Sequence, residues 1–332
     1  MYQRIQSNVR KTWLLIFVFV VLVVLIGFAF AYLTDTGPIG PAIAIVVAIG
    51  FSWGSYYNSD KIALRASRAI EADPVRFKQL HNLVEGMAIA SGMPKPRVYV
   101  VEDDAPNAFA TGRDPEHSAI AVTTGLLQKM NRDELEGVLA HEMSHIQNRD
   151  ILVMTIAVTL VGIIVLLADW LLRALWWGGG SRNGNGNSGG GAIFAVLGIA
   201  LLIFAPLIAQ LMHFAVSRRR EFLADADAVN FTRNPAGLIS ALEKLKSDET
   251  VVRSATRATA HMWIEEPNAL HAQGGPPGKR TNKSGAWLNR LFATHPPLDE
   301  RIEAVRSMTF GYGTGADDEG RTAPPPPPPT QA

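Results

Sequence analysis

A chain of 332 residues with 48% hydrophobic and 18% charged residues is oilier than a soluble protein of its size. Its net charge of +1, with no long Lys/Arg cluster interleaved with aromatics, excludes a nucleic-acid partner from the reading. With no cysteine, disulfides, thiolate metal sites and cysteine nucleophiles are excluded, so any metal must be held by His and carboxylates.

The apolar excess lies in four runs. Trp13 to Tyr32 passes about 20 residues without a charge, the length of a helix that crosses the hydrocarbon core. A signal peptide competes for this stretch, because Arg4, Arg10 and Lys11 precede it and Ala29-Phe30-Ala31 resembles a cleavage site. The run nevertheless exceeds the usual apolar core of about 7–15 residues. After a turn at Thr36-Gly37-Pro38, Ile39 to Tyr57 forms a second run that can return across the bilayer. Ile151 to Leu172 and Ala192 to Val216 are the third and fourth, separated by the glycine-rich stretch Gly178 to Gly191, whose composition cannot build a core.

Orientation follows from the flanking cations. Arg4, Arg10 and Lys11, then Lys61, Arg65 and Arg68, then Arg218, Arg219 and Arg220 all fall on one side, predicted cytoplasmic; Arg173 and Arg182 oppose this more weakly. The chain thus divides into a transmembrane hairpin at 1–57, a soluble segment at 58–150, a second hairpin at 151–216, a second soluble segment at 217–310 and a tail at 311–332. Neither soluble segment is large enough to make a convincing domain alone, so the two are expected to fold together on the cytoplasmic face, with both termini. The tail ends in six prolines and a polar remnant and is expected to be disordered, though a proline run can also dock in an aromatic groove.

In the first soluble segment, Arg97 to Val101 and Ser118 to Thr124 are β-branched and aromatic runs that predict strands. Asn107 to Thr111 reads as a short edge strand between them. Its Asn107, Ala108 and Phe109 could pair with an extended peptide, or simply face solvent.

From Asn131 the sequence NRDELEGVLAHEMSHIQNRD places Leu135, Val138, Leu139 and Ile146 at helical spacing, with Asn131 and Glu134 as an N-cap pair. On that helix His141 and His145 lie one turn apart on one face, so two imidazoles can grip one cation while Glu142 reaches the water beside it. The bland alternative is a pair of unrelated histidines beside a solvated glutamate. A catalytic zinc also needs a third protein ligand and an open fourth position. Glu221 is the best candidate, in a charged stretch that continues the fourth run on the same side of the bilayer. Asp225, one turn further on, could accept the free ring N–H of a ligating histidine, or both acids could merely balance the nearby arginines.

His141-Glu142-Met143-Ser144-His145-Ile146 with Asn148 and Asp150, Ser217-Arg218 to Glu221 with Ala224-Asp225, Asn107 to Arg113, and Thr294-His295-Pro296-Pro297 with Arg301 together resemble the HtpX family of membrane metallopeptidases. The resemblance runs over nearly the whole chain except the glycine-rich loop and the proline tail. It implies an α+β protein: a mainly helical integral membrane protein with four transmembrane helices and a zincin-like (gluzincin) cytoplasmic catalytic domain carrying a small β-sheet. It further implies one Zn2+ per chain on His141, His145 and Glu221, with Glu142 as general base and Asp225 behind the ligands. The implied activity is endoproteolysis at the cytoplasmic membrane, in quality control of misfolded membrane proteins, with protein or peptide substrates and the lipid bilayer as partners. Related prenyl-protein peptidases carry a similar His-Pro, which suggests that His295 and Arg301 approach the site to bind substrate or the developing oxyanion. A His before two prolines serves equally well to cap or end a helix. From another class, a non-catalytic membrane scaffold acting through its tail would keep this helix geometry but bind no metal.

Overall fold

The computed structural model describes residues 2–34, 37–157, 160, 218–250, 252–254, 263–264 and 296–313. Most of the third run, the whole fourth run, the glycine-rich loop, His295 and residues 314–332 therefore lie outside the described residues.

Two long helices open the chain, α1 (Tyr2–Thr34) and α2 (Ile39–Ala66). Among the described residues one stretch, Ile5–Leu25 in α1, is long and apolar enough to cross a membrane. The second apolar run is helical too, but α2 continues nine residues past Tyr57, from 58 to 66. Nothing in Asn58-Ser59-Asp60-Lys61 breaks a helix, and Asp60 on this extension forms an ion pair with Arg97 of the sheet. The helix ends at Ser67, where Arg68 takes a left-handed φ of 54°.

The sheet is small and mixed, in the order β1 (Ile70–Glu71), β2 (Arg97–Val101), β4 (Ser118–Thr123), β3 (Ala108–Gly112). β2 and β4 run parallel, while β1 and β3 join them antiparallel. Both sequence-predicted strands form, and the short strand predicted beside them is the outermost on its side.

Alternate residues of these strands serve two different cores, as a two-residue period requires. Val98, Val100, Ile120 and Val122 pack with α3 (Lys78–Ser91), α5 (Arg132–Gln147), α7 (Pro235–Ser247) and α8 (Leu298–Gly313). Val101, Phe109, Ala119 and Ala121 pack instead with Leu15 and Phe19 of α1, Ala63 and Leu64 of α2, and Leu152, Val153 and Ile156 of a helical stretch at 150–157. The sheet is therefore covered on both faces, which explains why every residue of β3 and β4 is buried. A short helix, α4 (Thr124–Lys129), leads from β4 toward α5, and α6 (Arg218–Thr232) packs along α5. α8 ends at Gly313, so residues 311–313 are helical rather than tail.

Candidate metal centre

Helix α5 is nucleated by a complete capping box. Asn131 Oδ1 accepts from the Glu134 backbone N–H at 3.0 Å, and Glu134 Oε2 accepts from the Asn131 N–H at 2.7 Å. The predicted cap pair is therefore present, and Glu134 has a second use, accepting from Ser240 and Lys244 of α7 at 2.6 and 2.7 Å. One turn into α5, Gly137 lets α7 approach closely: a Cβ there would stand 2.9 Å from the Leu238 Cα. These contacts fix the helix that carries His141, Glu142 and His145.

The second half of the site comes from α6, which carries Glu221 and Asp225 one turn apart and faces α5. His141 Nε2 lies 3.2 Å from His145 Nε2, and each lies 3.6 Å from an oxygen of Glu221. All three residues are buried, and their donor atoms lie within 4.8 Å of one another.

The fit to a metal follows from these separations. Ligand bonds of about 2.0–2.2 Å at tetrahedral angles hold donor atoms about 3.3–3.6 Å apart. The two Nε2 atoms, 3.2 Å apart, stand close to that separation, and each has its own Glu221 oxygen at 3.6 Å, Oε2 for His141 and Oε1 for His145, so the carboxylate spans the imidazole pair. Two neutral imidazoles with one carboxylate are a donor set suited to a divalent ion such as zinc.

Each imidazole is held from behind by its own carboxylate. His141 Nδ1 meets Asp225 Oδ1 at 2.9 Å, and His145 Nδ1 meets Asp150 Oδ2 at 3.1 Å. A δ nitrogen that gives its hydrogen to a carboxylate leaves the ε nitrogen as a lone-pair donor, so both Nε2 atoms are presented to the common point. The Asp225 contact is the one expected from sequence. The Asp150 contact is not; the residue stands just past the end of α5, where its only sequence signal was its place in the resemblance.

Arg301 of α8 does reach the site, fully buried, but on the Asp225 side of His141. Its Nε and one terminal nitrogen donate to the two Asp225 oxygens at 2.9 and 2.7 Å, and the other terminal nitrogen comes within 3.5 Å of Glu221. The nitrogen facing Glu221 also donates to the Ile264 carbonyl at 3.4 Å, and the one on Asp225 lies 3.2 Å from His141 Nδ1, so its donors are taken up by the protein's own groups.

Electrostatics follow from burial and this pairing. Burial and the Arg301 charge press the His141 pKa down, yet Asp225 and Glu221 outweigh them and carry it up to about 9. Burial opposes ionisation of Asp225, but Arg301 and His141 hold its pKa below the ordinary value. Glu142 is pushed up chiefly by burial, against the pull of His141, His145 and a backbone hydrogen bond from Ala110.

That last contact joins the site to the edge strand. Ala108 and Phe109 are fully buried, and the Ala108 carbonyl accepts from Ile264 N–H at 2.9 Å. Phe109 packs edge-on against Trp263, with ring centroids 4.7 Å apart. Asn107 is tied into the sheet, its N–H donating to Thr123 Oγ1 at 2.9 Å. The outer edge of β3 is therefore near Glu142 but is not open to solvent.

Comparison with known proteins adds the following. The model of Peptidase family M48 matches residues 74–309. A "Protease HtpX homolog" of Caldanaerobacter subterraneus subsp. tengcongensis is 46% identical over 310 residues, covering 93% of this chain and 98% of that protein. One from Streptococcus gordonii is 41% identical over 311 residues, covering 93% and 100%. Among solved structures, that of S. mikatae Ste24p covers 92% of this chain and 67% of its own, with 18% identity and a TM-score of 0.48.

Proposed function

The chain belongs to peptidase family M48, among the HtpX protease homologues, and is a metallopeptidase; from that premise we propose a membrane-embedded zinc endopeptidase with its metal on His141, His145 and Glu221. The observation that carries this reading is the buried convergence of two imidazoles and one carboxylate, with one donor atom from each lying within 4.8 Å of the others.

Zinc, when bound there, supplies Lewis-acid polarisation of the scissile carbonyl and eases ionisation of water near neutral pH. The chain's own groups do the rest. Glu142 takes a proton from the attacking water at its carboxylate and returns it to the departing amine nitrogen, a role its raised pKa suits. Asp225 and Asp150 keep the two imidazoles in the metal-binding tautomer. Arg301 is a positioning residue, locking Asp225 through two hydrogen bonds.

An extended substrate running along β3 would meet Ala108 and Ala110 beside Glu142, and would have to take the Ala108 carbonyl from Ile264. Substrates are misfolded or membrane proteins, cut at the cytoplasmic surface in quality control. Support for the bilayer comes from the span in α1 and from large apolar side chains turned outward on both long helices, including Trp13, Phe17, Ile43, Val46 and Trp53. In this reading two transmembrane hairpins, 1–57 and 151–216, alternate with two soluble segments, 58–150 and 217 to the end of α8, that complete one catalytic domain.

The test is Glu142→Gln in the purified full-length protein. The variant is expected to retain about one zinc per chain and to lose casein cleavage, by the ~10²–10⁴-fold that a positioned base contributes, or more. Cleavage at the parental rate removes Glu142 from the mechanism.

A further inference from the structure

We propose that Asn8, in the N-terminal helix α1, is a positioning residue for His145 that acts through Asp150, so that the metal centre is completed by the membrane-anchoring helix. This rests on the zinc reading above, and uses a residue with no role there.

Asn8 is buried, 4% exposed, within the apolar stretch Ile5–Leu25, where leucine or alanine would pack without polar cost. Its side-chain nitrogen donates to the Asn148 carbonyl at 2.9 Å and to Asp150 Oδ1 at 2.7 Å. Both partners are acceptors only, so the amide must turn its NH2 and not its oxygen toward them. The opposite oxygen of the same carboxylate, Asp150 Oδ2, meets His145 Nδ1. A continuous chain therefore runs from α1 through Asp150 to the imidazole that faces Glu221.

Asp150 has another donor, Arg220, at 3.4 Å on the oxygen that Asn8 also bonds. That contact is longer and comes from α6, so it does not replace the short bond from α1. With Asn8 gone, the carboxylate is free to turn toward Arg220 and away from His145, and the ring loses the partner that sets its tautomer. The same amide ties Asn148, the C-cap of α5, which fixes where the metal-binding helix ends. The Asn8 amide thus links α1 to both the end of α5 and the carboxylate behind His145.

The experiment compares the full-length, detergent-solubilised protein with Asn8→Leu, Asn8→Ala, Asp150→Asn, the double variant Asn8→Leu/Asp150→Asn, and Leu15→Ala. Zinc affinity is read by competition with a chromophoric chelator, geometry by the visible spectrum of the Co2+-loaded protein, and folding by a thermal melt. Asn8→Leu keeps the branched four-atom side-chain skeleton and favours helix, and Asn8→Ala removes any crowding, so a cooperative melt is expected of at least one of them. The zinc affinity of the folded Asn8 variant should fall about tenfold, the lower end of the loss seen when an outer-shell partner is removed, with a changed Co2+ spectrum. Asp150→Asn should lose more, and the double variant no more than Asp150→Asn alone, because the two act in series. Leu15→Ala, which loosens α1 against α2 without touching Asp150, should melt lower yet bind zinc as wild type does. Wild-type affinity in folded Asn8→Leu or Asn8→Ala, or additive losses in the double variant, would overturn the proposal. Failure of the wild type itself to bind zinc would instead overturn the reading of the site.

Discussion

Two carboxylates standing behind two imidazoles, Asp225 behind His141 and Asp150 behind His145, turn a pair of helical histidines into a directed site. The same pairing makes His141 a strong competitor for protons, with a pKa carried from 6.5 up to about 9. The sign follows from linkage. A folded-state pKa above the unfolded value means the fold binds the extra proton, so the contribution is complete below pH 6.5 and disappears as pH rises through about 9. Chelator-stripped protein should therefore melt at progressively lower temperature between those limits, and His141→Ala should flatten that slope; a midpoint that rises over this window contradicts the pairing. The three donor residues were legible in the sequence because a helix fixes the spacing of His141 and His145, and because their chemistry demands a third ligand. Asp150 was not, since it lies beyond the helix end, where no periodicity says which way a side chain turns. Arg301 was legible as a neighbour of the site but not in its partner: no spacing rule links residue 301 to Asp225.

Helices α5 and α7 meet across two glycines, Gly137 facing Leu238 and Gly237 facing the Asp133 carbonyl. A methyl group at either place would run into backbone rather than into a side chain that could swing aside. Gly137→Ala is accordingly expected to destabilise the protein by ~1–3 kcal/mol, despite alanine's better helix propensity. A denaturant or thermal melt equal to or above that of wild type would contradict so close a crossing. The start of α5 was readable because a capping box is a local signal, complete within Asn131 to Glu134. The end of α2 was not, because the apolar run stops at Tyr57 while the helix continues to Ala66, held by tertiary contacts such as Asp60 with Arg97. The strands were readable from their residue types. The depth at which β3 lies was not, since its covering comes from Ile264 and Trp263, more than 150 positions downstream.

Among the described residues, one sheet divides two cores: catalytic helices on one side, the α1–α2 hairpin and residues 152–157 on the other. The first core draws on residues from 72 to 151 and from 228 to 305, so α5 and α6 are brought together by packing that neither stretch has alone. This is why the site depends on chain far from the His-Glu motif, and why a carboxylate 76 positions from His145 completes it. That convergence is tested most directly by counting metal. Zinc per chain should be measured on folded full-length wild type, His141→Ala, His145→Ala and Glu221→Ala after identical dialysis. The account predicts about one zinc per chain in the wild type and little or none in each variant. Full zinc content in folded Glu221→Ala, or none in the wild type, would contradict it.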